Sequence, residues 1–346
     1  MFAYVGGYTT ADRNGRGDGI HVYRTGGPGR AWDEVQHLGN LENPSLFTLR
    51  RDGSVLYTVH GARTVVSAFR RDRANGTLSL INQRPCGGTN PVDLALDPTE
   101  RFLVVVNYAS GTVAVLPLGA DGALQDVSAV HELTGRPGPD PEQQASSHPH
   151  AVIFDPTGRF VVVPDKGYDA VFVFRFEAGQ LALTHSVASL AGAAPRHCAF
   201  HPSLPVLYVN NELDSTVCLY RWDAGRILPT QFVRTLAEGD ARRNTTAEIA
   251  VAPDGRFVYV SNRGADSIAL FAAAPGSGRL SYIGSEPTCG TTPRFFALDP
   301  GGTTLVVANQ DSDTIVSFGV DRQQGTLARQ GVVARCGSPS AISLVP

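Results

Sequence analysis

Short apolar runs separated by turn residues follow one another along the chain, and the same pattern returns about every 49 residues. Turns such as Pro253-Asp-Gly255 supply the restricted φ of proline and the positive φ that glycine tolerates. In the fifth copy the pattern predicts strands over 248–252, 257–261 and 267–271. Fourth strands are predicted at 78–81, 181–184 and 280–283 in their own copies. Nothing favours a helix of about ten or more residues.

All copies can be aligned on one position just before or at a turn. These positions are Arg50, Asp97, Asp155, His201, Ala252, Asp299 and Val345. The last copy is cut off at Pro346, and Met1-Phe-Ala-Tyr-Val5 aligns with Arg256-Phe-Val-Tyr-Val260 of the fifth copy. The two chain ends therefore share one repeat, which is typical of a closed ring. We predict an all-β, seven-bladed β-propeller, one domain over 1–346, whose last blade is closed by N- and C-terminal strands together.

The composition of the chain limits the binding partners and the cellular compartment that we expect. The net charge is −3 and no basic stripe occurs, so neither nucleic acid nor a membrane surface is an expected partner. The five cysteines are odd in number and lack zinc-like spacing, so we predict reduced, mostly buried thiols. With no apolar leader or membrane-spanning stretch, we expect a cytoplasmic protein; monomer and dimer both stay open.

The spacing between the aligned positions of two successive copies, Asp97 and Asp155, is longer than the other spacings. The extra residues fall within 116–147. Prolines around Gly135-Arg-Pro-Gly-Pro-Asp-Pro-Glu142 oppose a regular strand, so we predict a long surface loop. The loop is either a tolerated insertion or the rim of a site, since it leads into Ser147-His-Pro-His150.

Residues that begin the first strand of a hairpin and residues that end the second lie at the same end of it. In this chain the two sets of positions are polar, and they differ from copy to copy. We take that variation as the sign of a functional face. From the two sets we single out as candidates His148, Glu212, Arg196, Arg263, His150, Lys166, Asn107, Tyr8, Arg294 and Gln310.

The charges within this set indicate a small acidic ligand. Arg196 and Glu212 fall in one blade, with Lys166 before it and Arg263 after it, so several cations surround one carboxylate. A metal on the His148-x-His150 pair is a weaker reading, because no third ligand is adjacent in the sequence. We therefore predict no metal and no cofactor. The remaining histidines have no predicted catalytic role: His201 is expected to cap a turn, and ordinary surface or strand positions are expected for His21, His37, His131 and His185.

Several short motifs resemble the lactonase family of seven-bladed propellers, and the resemblance covers essentially the full length. They are Gly7-Tyr-Thr9, Ser147-His-Pro-His150, Asp165-Lys-Gly167, Pro195-Arg-His-Cys-Ala-Phe-His-Pro202, Asn211-Glu-Leu213, Ala247-Glu-Ile249, Val260-Ser-Asn-Arg-Gly264 and Ala308-Asn-Gln310. That family includes propeller-type 6-phosphogluconolactonases and the fungal carboxymuconate-lactonizing enzyme. The resemblance implies a metal-free enzyme for an anionic sugar lactone, with catalytic roles on His148, Arg196, Glu212 and Arg263.

Three functions remain open at this stage. The first is hydrolysis of 6-phospho-D-glucono-1,5-lactone, with Glu212 or His148 activating water and Arg196 with Arg263 binding the phosphate or the oxyanion. In that scheme His150, Lys166, Asn107, Tyr8, Arg294 and Gln310 contact the substrate. The second is a carboxymuconate-type cycloisomerisation by the same residues. The third is a non-enzymatic ring that binds a ligand or a protein through this face.

Overall fold

Seven antiparallel sheets of four strands each make up the chain, and each sheet is one blade of a β-propeller. The computed structural model describes residues 1–346. Apart from two 3₁₀ turns, Ala11–Arg13 and Gln310–Ser312, the regular elements are all strands. The prediction of an all-β, seven-bladed ring is confirmed, and no helix in it is long and apolar enough to cross a membrane.

The strands are numbered in chain order, and blade 7 contains the first three and the last. Its strands are β1 (Phe2–Gly7), β2 (Gly19–Arg24) and β3 (Asp33–Gly39). Blade 1 follows with β4 (Pro44–Leu49), β5 (Val55–His60), β6 (Val65–Arg71) and β7 (Leu78–Pro85). Blade 2 consists of β8 (Pro91–Leu96), β9 (Phe102–Asn107), β10 (Thr112–Pro117) and β11 (Ala129–Glu132). Blade 3 consists of β12 (Ile153–Phe154), β13 (Phe160–Asp165), β14 (Ala170–Glu177) and β15 (Gln180–Ala188).

The second half of the ring has the same layout. Blade 4 consists of β16 (Pro195–Phe200), β17 (Val206–Asn211), β18 (Thr216–Asp223) and β19 (Arg226–Arg234). Blade 5 consists of β20 (Thr245–Val251), β21 (Phe257–Arg263), β22 (Ser267–Ala273) and β23 (Leu280–Pro287). Blade 6 consists of β24 (Pro293–Leu298), β25 (Thr304–Asn309), β26 (Thr314–Val320) and β27 (Leu327–Arg335). The C-terminal strand β28 (Pro339–Val345) then returns to blade 7.

Blade 7 closes the ring as predicted. Its strand order is β28-β1-β2-β3, so the C-terminal strand is innermost and the N-terminal strand pairs with it. The pairing runs from Phe2 opposite Val345 to Gly7 opposite Pro339, with a bulge at Gly6. The backbone N–H and C=O groups of the two terminal strands pair with each other, so the ring is closed without a covalent link.

The hydrophobic core lies between the blades. Seven buried clusters occur, and each joins two neighbouring blades around the ring. Between blades 2 and 3, for example, Val104 and Val106 pack with Val161, Val163 and Phe174. Second strands such as β13 are buried on both faces, which explains their unbroken apolar runs. Four of the five unpaired cysteines are buried in this packing, and Cys289 is exposed.

The predicted surface loop over 116–147 is only partly irregular. Residues 129–132 form β11, the outer strand of blade 2, and Leu133 joins the core between blades 2 and 3. The proline-rich remainder crosses to blade 3, whose inner strand β12 is reduced to two residues. The prediction of irregular chain therefore holds for the proline-rich part and was wrong for 129–132, where pairing with β10 supplies the missing fourth strand.

Candidate active site

One end of the ring carries the polar pocket that the aligned repeats predict. The cavity measures about 190 Å³ and lies where inner strands begin and second strands end. Lys166, Glu212 and Arg263 reach it from blades 3, 4 and 5, and Arg294 reaches it from blade 6. Its complete lining is Arg13, Asn90, Val92, Tyr108, His150, Lys166, Glu212, Arg263 and Arg294.

Glu212 is the centre of a buried ion cluster at the wall of this pocket. Its Oε1 accepts a hydrogen bond from Lys166 Nζ at 2.9 Å, and Arg263 Nη2 lies 3.2 Å from the same oxygen. Arg196 Nε lies 3.0 Å from Oε2, a charge contact outside hydrogen-bond geometry. All four side chains are at most 15% exposed, so the charges depend on one another rather than on water.

The cations fix the charge of Glu212. Burial alone would raise the pKa of Glu212, but Arg263, Lys166 and Arg196 together lower it well below its usual range. Such a carboxylate stays ionised and is a poor proton acceptor at neutral pH. We therefore assign Glu212 to positioning the cations rather than to acting as the general base.

Positive charge is in excess around the pocket. Burial lowers the pKa of Arg294 and of Lys166, and burial with the nearby Arg263 lowers that of Arg196. The Nε atoms of Arg196 and Arg263 are buried without a hydrogen-bond acceptor. The set of five cations facing one carboxylate is Arg13, Lys166, Arg196, Arg263 and Arg294. A site of this kind favours an anionic ligand.

Tyr8 lies between two of these cations. Its ring centroid is 4.3 Å from the guanidinium carbon of Arg13 and 5.1 Å from that of Arg294. Burial opposes ionisation of the phenol, yet the charges of Arg294 and Arg13 outweigh it and lower the pKa of Tyr8. Both guanidinium groups are within cation–π distance of the ring, which offsets part of the repulsion between them.

His148 is not part of the pocket lining itself; it stacks on Tyr108, which is. The two ring centroids are 4.3 Å apart and the planes differ by 4°. His148 Nδ1 lies 3.0 Å from the carbonyl oxygen of Tyr108, and in a neutral ring this contact requires the proton on Nδ1. Asp165 Oδ1 accepts a hydrogen bond from the His148 backbone N–H. The remaining nitrogen, Nε2, is therefore left as a proton acceptor.

His150 has a different environment on the pocket floor. It is buried, and burial together with Arg196 and His197 lowers its pKa well below the usual value. Its Nδ1 has no hydrogen-bond partner, and its ring lies 5.2 Å from that of His197. His197 in turn pairs with Glu248, the two atoms Nδ1 and Oε2 being 2.9 Å apart. An imidazolium at His150 is disfavoured by the nearby cations, so His150 suits hydrogen bonding better than proton abstraction.

The insertion contacts the pocket residue Lys166 from outside the lining. Lys166 Nζ donates a hydrogen bond to Gln143 Oε1 at 2.7 Å, and Gln144 Nε2 donates to the carbonyl oxygen of Lys166 at 2.8 Å. A Cβ on Gly167 would lie 1.7 Å from the Ser146 carbonyl oxygen, so only glycine allows this approach. Of the two interpretations of the insertion, the structure supports the one in which it shapes the site.

Three of the six predicted binding residues are absent from the pocket lining: Tyr8, which packs against Arg13 and Arg294, and the more distant Asn107 and Gln310. Asn107 is fully buried and donates from Nδ2 to the Cys86 carbonyl and to Thr112 Oγ1, a role that Asn309 repeats in blade 6. Gln310 is in a 3₁₀ turn and donates to Asp311. Neither side chain lines the pocket, because each serves the local turn instead. Arg196 is only 2% exposed and donates to the Ala247 carbonyl, so it acts on the site through Glu212.

Arg13 is the main pocket residue missing from the predicted set. It ends the 3₁₀ turn Ala11–Arg13 in the segment between β1 and β2. The aligned repeat positions do not cover that segment, so comparison of the copies could not indicate it. Tyr108 and Asn90 also line the pocket; both occupy converging positions but are not among the predicted site residues.

Comparison with known proteins agrees with this fold. A family model described as lactonase, 7-bladed β-propeller, matches residues 2–344. The chain belongs to the lactonase family. It is 33% identical over 300 residues to the 6-phosphogluconolactonase of Bacillus subtilis, covering 86% of this chain and 84% of that protein. A Formosa agariphila 6-phosphogluconolactonase is 32% identical over 312 residues, with 86% of each covered.

Solved structures give the same result for this lactonase. A Pseudomonas aeruginosa periplasmic gluconolactonase has a TM-score of 0.90 at 31% identity, covering 100% of this chain and 99% of that one. A Bacteroides fragilis protein described as a candidate 6-phosphogluconolactonase has a TM-score of 0.91 at 30% identity, covering 100% and 98%. The chain is an enzyme of the lactone-hydrolysing class, and the resemblance seen in its motifs is confirmed.

Proposed function

We propose that the enzyme hydrolyses 6-phospho-D-glucono-1,5-lactone to 6-phosphogluconate. The observation that carries the proposal is the excess of buried cations around Glu212, which calls for an anionic lactone rather than a neutral one. The names of the Bacillus subtilis and Formosa agariphila relatives support the same substrate. The Pseudomonas aeruginosa structure is named as a gluconolactonase, so the phosphate is the feature that needs a direct test.

The phosphate is assigned to the side of the pocket where Arg13 and Arg294 flank Tyr8. Two guanidinium groups can offer several N–H donors to phosphate oxygens, and the Tyr8 ring keeps them apart. Arg13 is the member of this pair on an exposed turn, so it can adjust to the ligand. The lactone ring is then assigned to the part of the pocket lined by Lys166 and Arg263.

The chemistry is assigned to His148 and the cations bound by Glu212. His148 Nε2 accepts a proton from water while the water oxygen bonds to the lactone carbonyl carbon. Lys166 and Arg263 stabilise the negative charge that develops on the carbonyl oxygen. The bond between that carbon and the ring oxygen then breaks, and His148 returns the proton to the departing oxygen. This scheme involves no metal, and the absence of a metal in the pocket stays a prediction.

A rate assay tests the substrate. Freshly prepared phosphorylated lactone and unphosphorylated gluconolactone are compared at equal concentration, with the spontaneous opening subtracted. We expect a clear preference for the phosphorylated lactone, and Arg13→Ala should reduce that preference. Equal rates on both lactones would contradict the phosphate assignment. Turnover of a carboxylated muconate without uptake of solvent oxygen would instead support the cycloisomerase alternative.

The cytoplasmic location expected from the sequence also stays a prediction.

A further inference from the structure

Blade 7 carries a second cluster of chemically active side chains on its outer hairpin. His21 in β2 and His37 in β3 are directly opposite each other in the strand register. Their rings stack with centroids 4.6 Å apart and planes 12° apart. Asp18 immediately precedes β2 and reaches both rings. None of the three side chains lines the lactone pocket.

The donor atoms of the cluster converge on one point. His21 Nε2 lies 3.0 Å from Asp18 Oδ1, and His37 Nε2 lies 3.1 Å from Asp18 Oδ2. One ligand atom from each of the three residues can be chosen so that all lie within 4.8 Å of one another. A metal ion with imidazole and carboxylate ligands at about 2.0–2.2 Å holds its donors at comparable separations.

Glu34 supplies an independent observation that points to a metal. Its Oε1 lies 2.9 Å from His21 Nδ1, the ring nitrogen that faces away from Asp18. A metal-binding histidine commonly donates its second ring N–H to a carboxylate in this manner, and the contact fixes the tautomer. With the proton on Nδ1, a neutral His21 directs the lone pair of Nε2 toward Asp18. In that tautomer the Nε2 lone pair and the two Asp18 oxygens face one another, an arrangement that a bound divalent cation stabilises.

We propose that Asp18, His21 and His37 bind a divalent transition metal, with Glu34 orienting His21. Two imidazoles and one carboxylate suit Zn²⁺ or a neighbouring ion such as Co²⁺ or Ni²⁺ better than Ca²⁺ or Mg²⁺. Asp18 is 61% exposed on its side chain, so water fills the remaining positions. The ion clamps the segment before β2 onto β3, in the blade that joins the two chain ends. His21 and His37 lie on strands as the sequence predicts, and the proposal gives them a role beyond that.

Metal binding to the untagged, chelator-treated protein tests this site. Titration with Co²⁺, followed by its visible absorption, should show one bound equivalent, and Zn²⁺ should compete for it. His37→Ala and Asp18→Asn should each abolish that equivalent, whereas Glu34→Gln should weaken it roughly 10- to 100-fold. His131→Ala is the matched control, because His131 is a half-buried histidine on the outer strand of blade 2. It should bind like the wild type.

A thermal melt supplies a second readout that does not depend on colour. Zn²⁺ should raise the Tm of the wild type and of His131→Ala, and leave that of Asp18→Asn unchanged. Asp18 is exposed, so this variant should keep the fold even where a histidine variant does not. The proposal is overturned if the wild type binds no equivalent of metal, or if it binds no more tightly than Asp18→Asn. Chelation should leave lactone turnover intact, which separates this site from the catalytic one.

Discussion

The two ends of the ring are built from the same hairpins, yet they use side chains in opposite ways. At the turn end, Asp97, Asp155 and Asp299 each accept backbone N–H groups from the residues four and five positions further on. In blade 4 His201 Nδ1 accepts from Ser203 and Leu204 instead, which confirms its predicted capping role. These four copies share one task, the closing of their own turn, although Arg50 and Ala252 occupy the position in blades 1 and 5.

At the pocket end the corresponding positions differ. Lys166, Glu212 and Arg263 follow or end the second strands of three neighbouring blades, and they bind one another rather than their own turns. The change from a residue that supports its own blade to a residue that faces the pocket occurs between two consecutive positions. Asn211 bonds to Thr216 inside its blade, whereas the next residue, Glu212, faces the pocket. In a repeat protein, agreement between copies therefore identifies the scaffold, and disagreement at one end identifies the chemistry.

Glu212→Gln should have the largest effect, because it removes the only carboxylate that binds three buried cations. We expect turnover to fall at least about 100-fold and the free energy of unfolding to drop by about 3–5 kcal/mol. Glu177→Gln is the matched control, since its ion pair with Arg175 is largely exposed and contributes little. Assay rates and urea unfolding measure both effects. Equal losses in the two variants would refute the central role of Glu212.

His148→Gln separates chemistry from stability at the pocket end. Loss of the proton acceptor should lower kcat roughly 100- to 10,000-fold, while KM changes little because the cations still bind the substrate. His150→Gln should affect KM more than kcat, since His150 is assigned to hydrogen bonding. Steady-state kinetics of the two variants distinguish these roles. The reverse pattern would move the base from His148 to His150.

Arg13→Ala should act on the phosphorylated substrate alone. Loss of one charged phosphate contact costs about 1.5–3 kcal/mol, so KM for the phosphorylated lactone should rise roughly 10- to 100-fold. Turnover of unphosphorylated gluconolactone should hardly change, because the ring-opening groups stay in place. Arg24→Ala, exposed in the same blade, serves as the control. A parallel loss on both lactones would place Arg13 outside the phosphate subsite.

Asp155→Ala should give the converse result at the turn end. Several N–H groups and the Thr157 hydroxyl lose their acceptor, so the protein should unfold about 1–3 kcal/mol more easily. Activity per folded molecule should match the wild type. A fall in kcat comparable with that of His148→Gln would break the distinction between the two ends.

The pH dependence of the free energy of unfolding should also reveal the ion cluster around Glu212, and this is the smallest of the expected effects. The folded-state pKa of Glu212 is below its ordinary value of 4.5, so its stabilising contribution is fully present above that pH. The contribution fades as the pH falls below 4.5 and the unfolded chain takes up the proton first. The difference in unfolding free energy between wild type and Glu212→Gln should thus shrink from pH 6 toward pH 3. A constant difference would show that Glu212 is not stabilised by its cations.

Sequence alone predicted the scaffold well, because each blade repeats the same turn and strand chemistry. The ring closure followed from the overlap of the two chain ends, and the pocket's end of the ring followed from hairpin geometry. Within the pocket, Lys166, Glu212, Arg263 and Arg294 lie together as expected. The depth of each side chain was not predictable, since Arg196 and Asn107 occupy converging positions yet are buried away from the cavity.

Alignment of the repeats could not predict features that lie outside the aligned positions. Arg13 belongs to a connecting segment, and the insertion reaches Lys166 through Gln143 only after the chain has folded. His21 and His37 lie on successive strands and become opposite each other only through the register in which β2 pairs with β3. In each case a contact set by the fold decides the role, and the aligned repeat positions do not encode it.

The central claim is that the end where the repeats differ is the catalytic end, organised by Glu212. The most direct test is the enzyme-dependent rate of opening of fresh 6-phospho-D-glucono-1,5-lactone, measured side by side for wild type, Glu212→Gln and Asp155→Ala. We predict acceleration by the wild type, a rate near it for Asp155→Ala, and a loss of at least about 100-fold for Glu212→Gln. A folded Glu212→Gln enzyme that works at the wild-type rate would contradict the account.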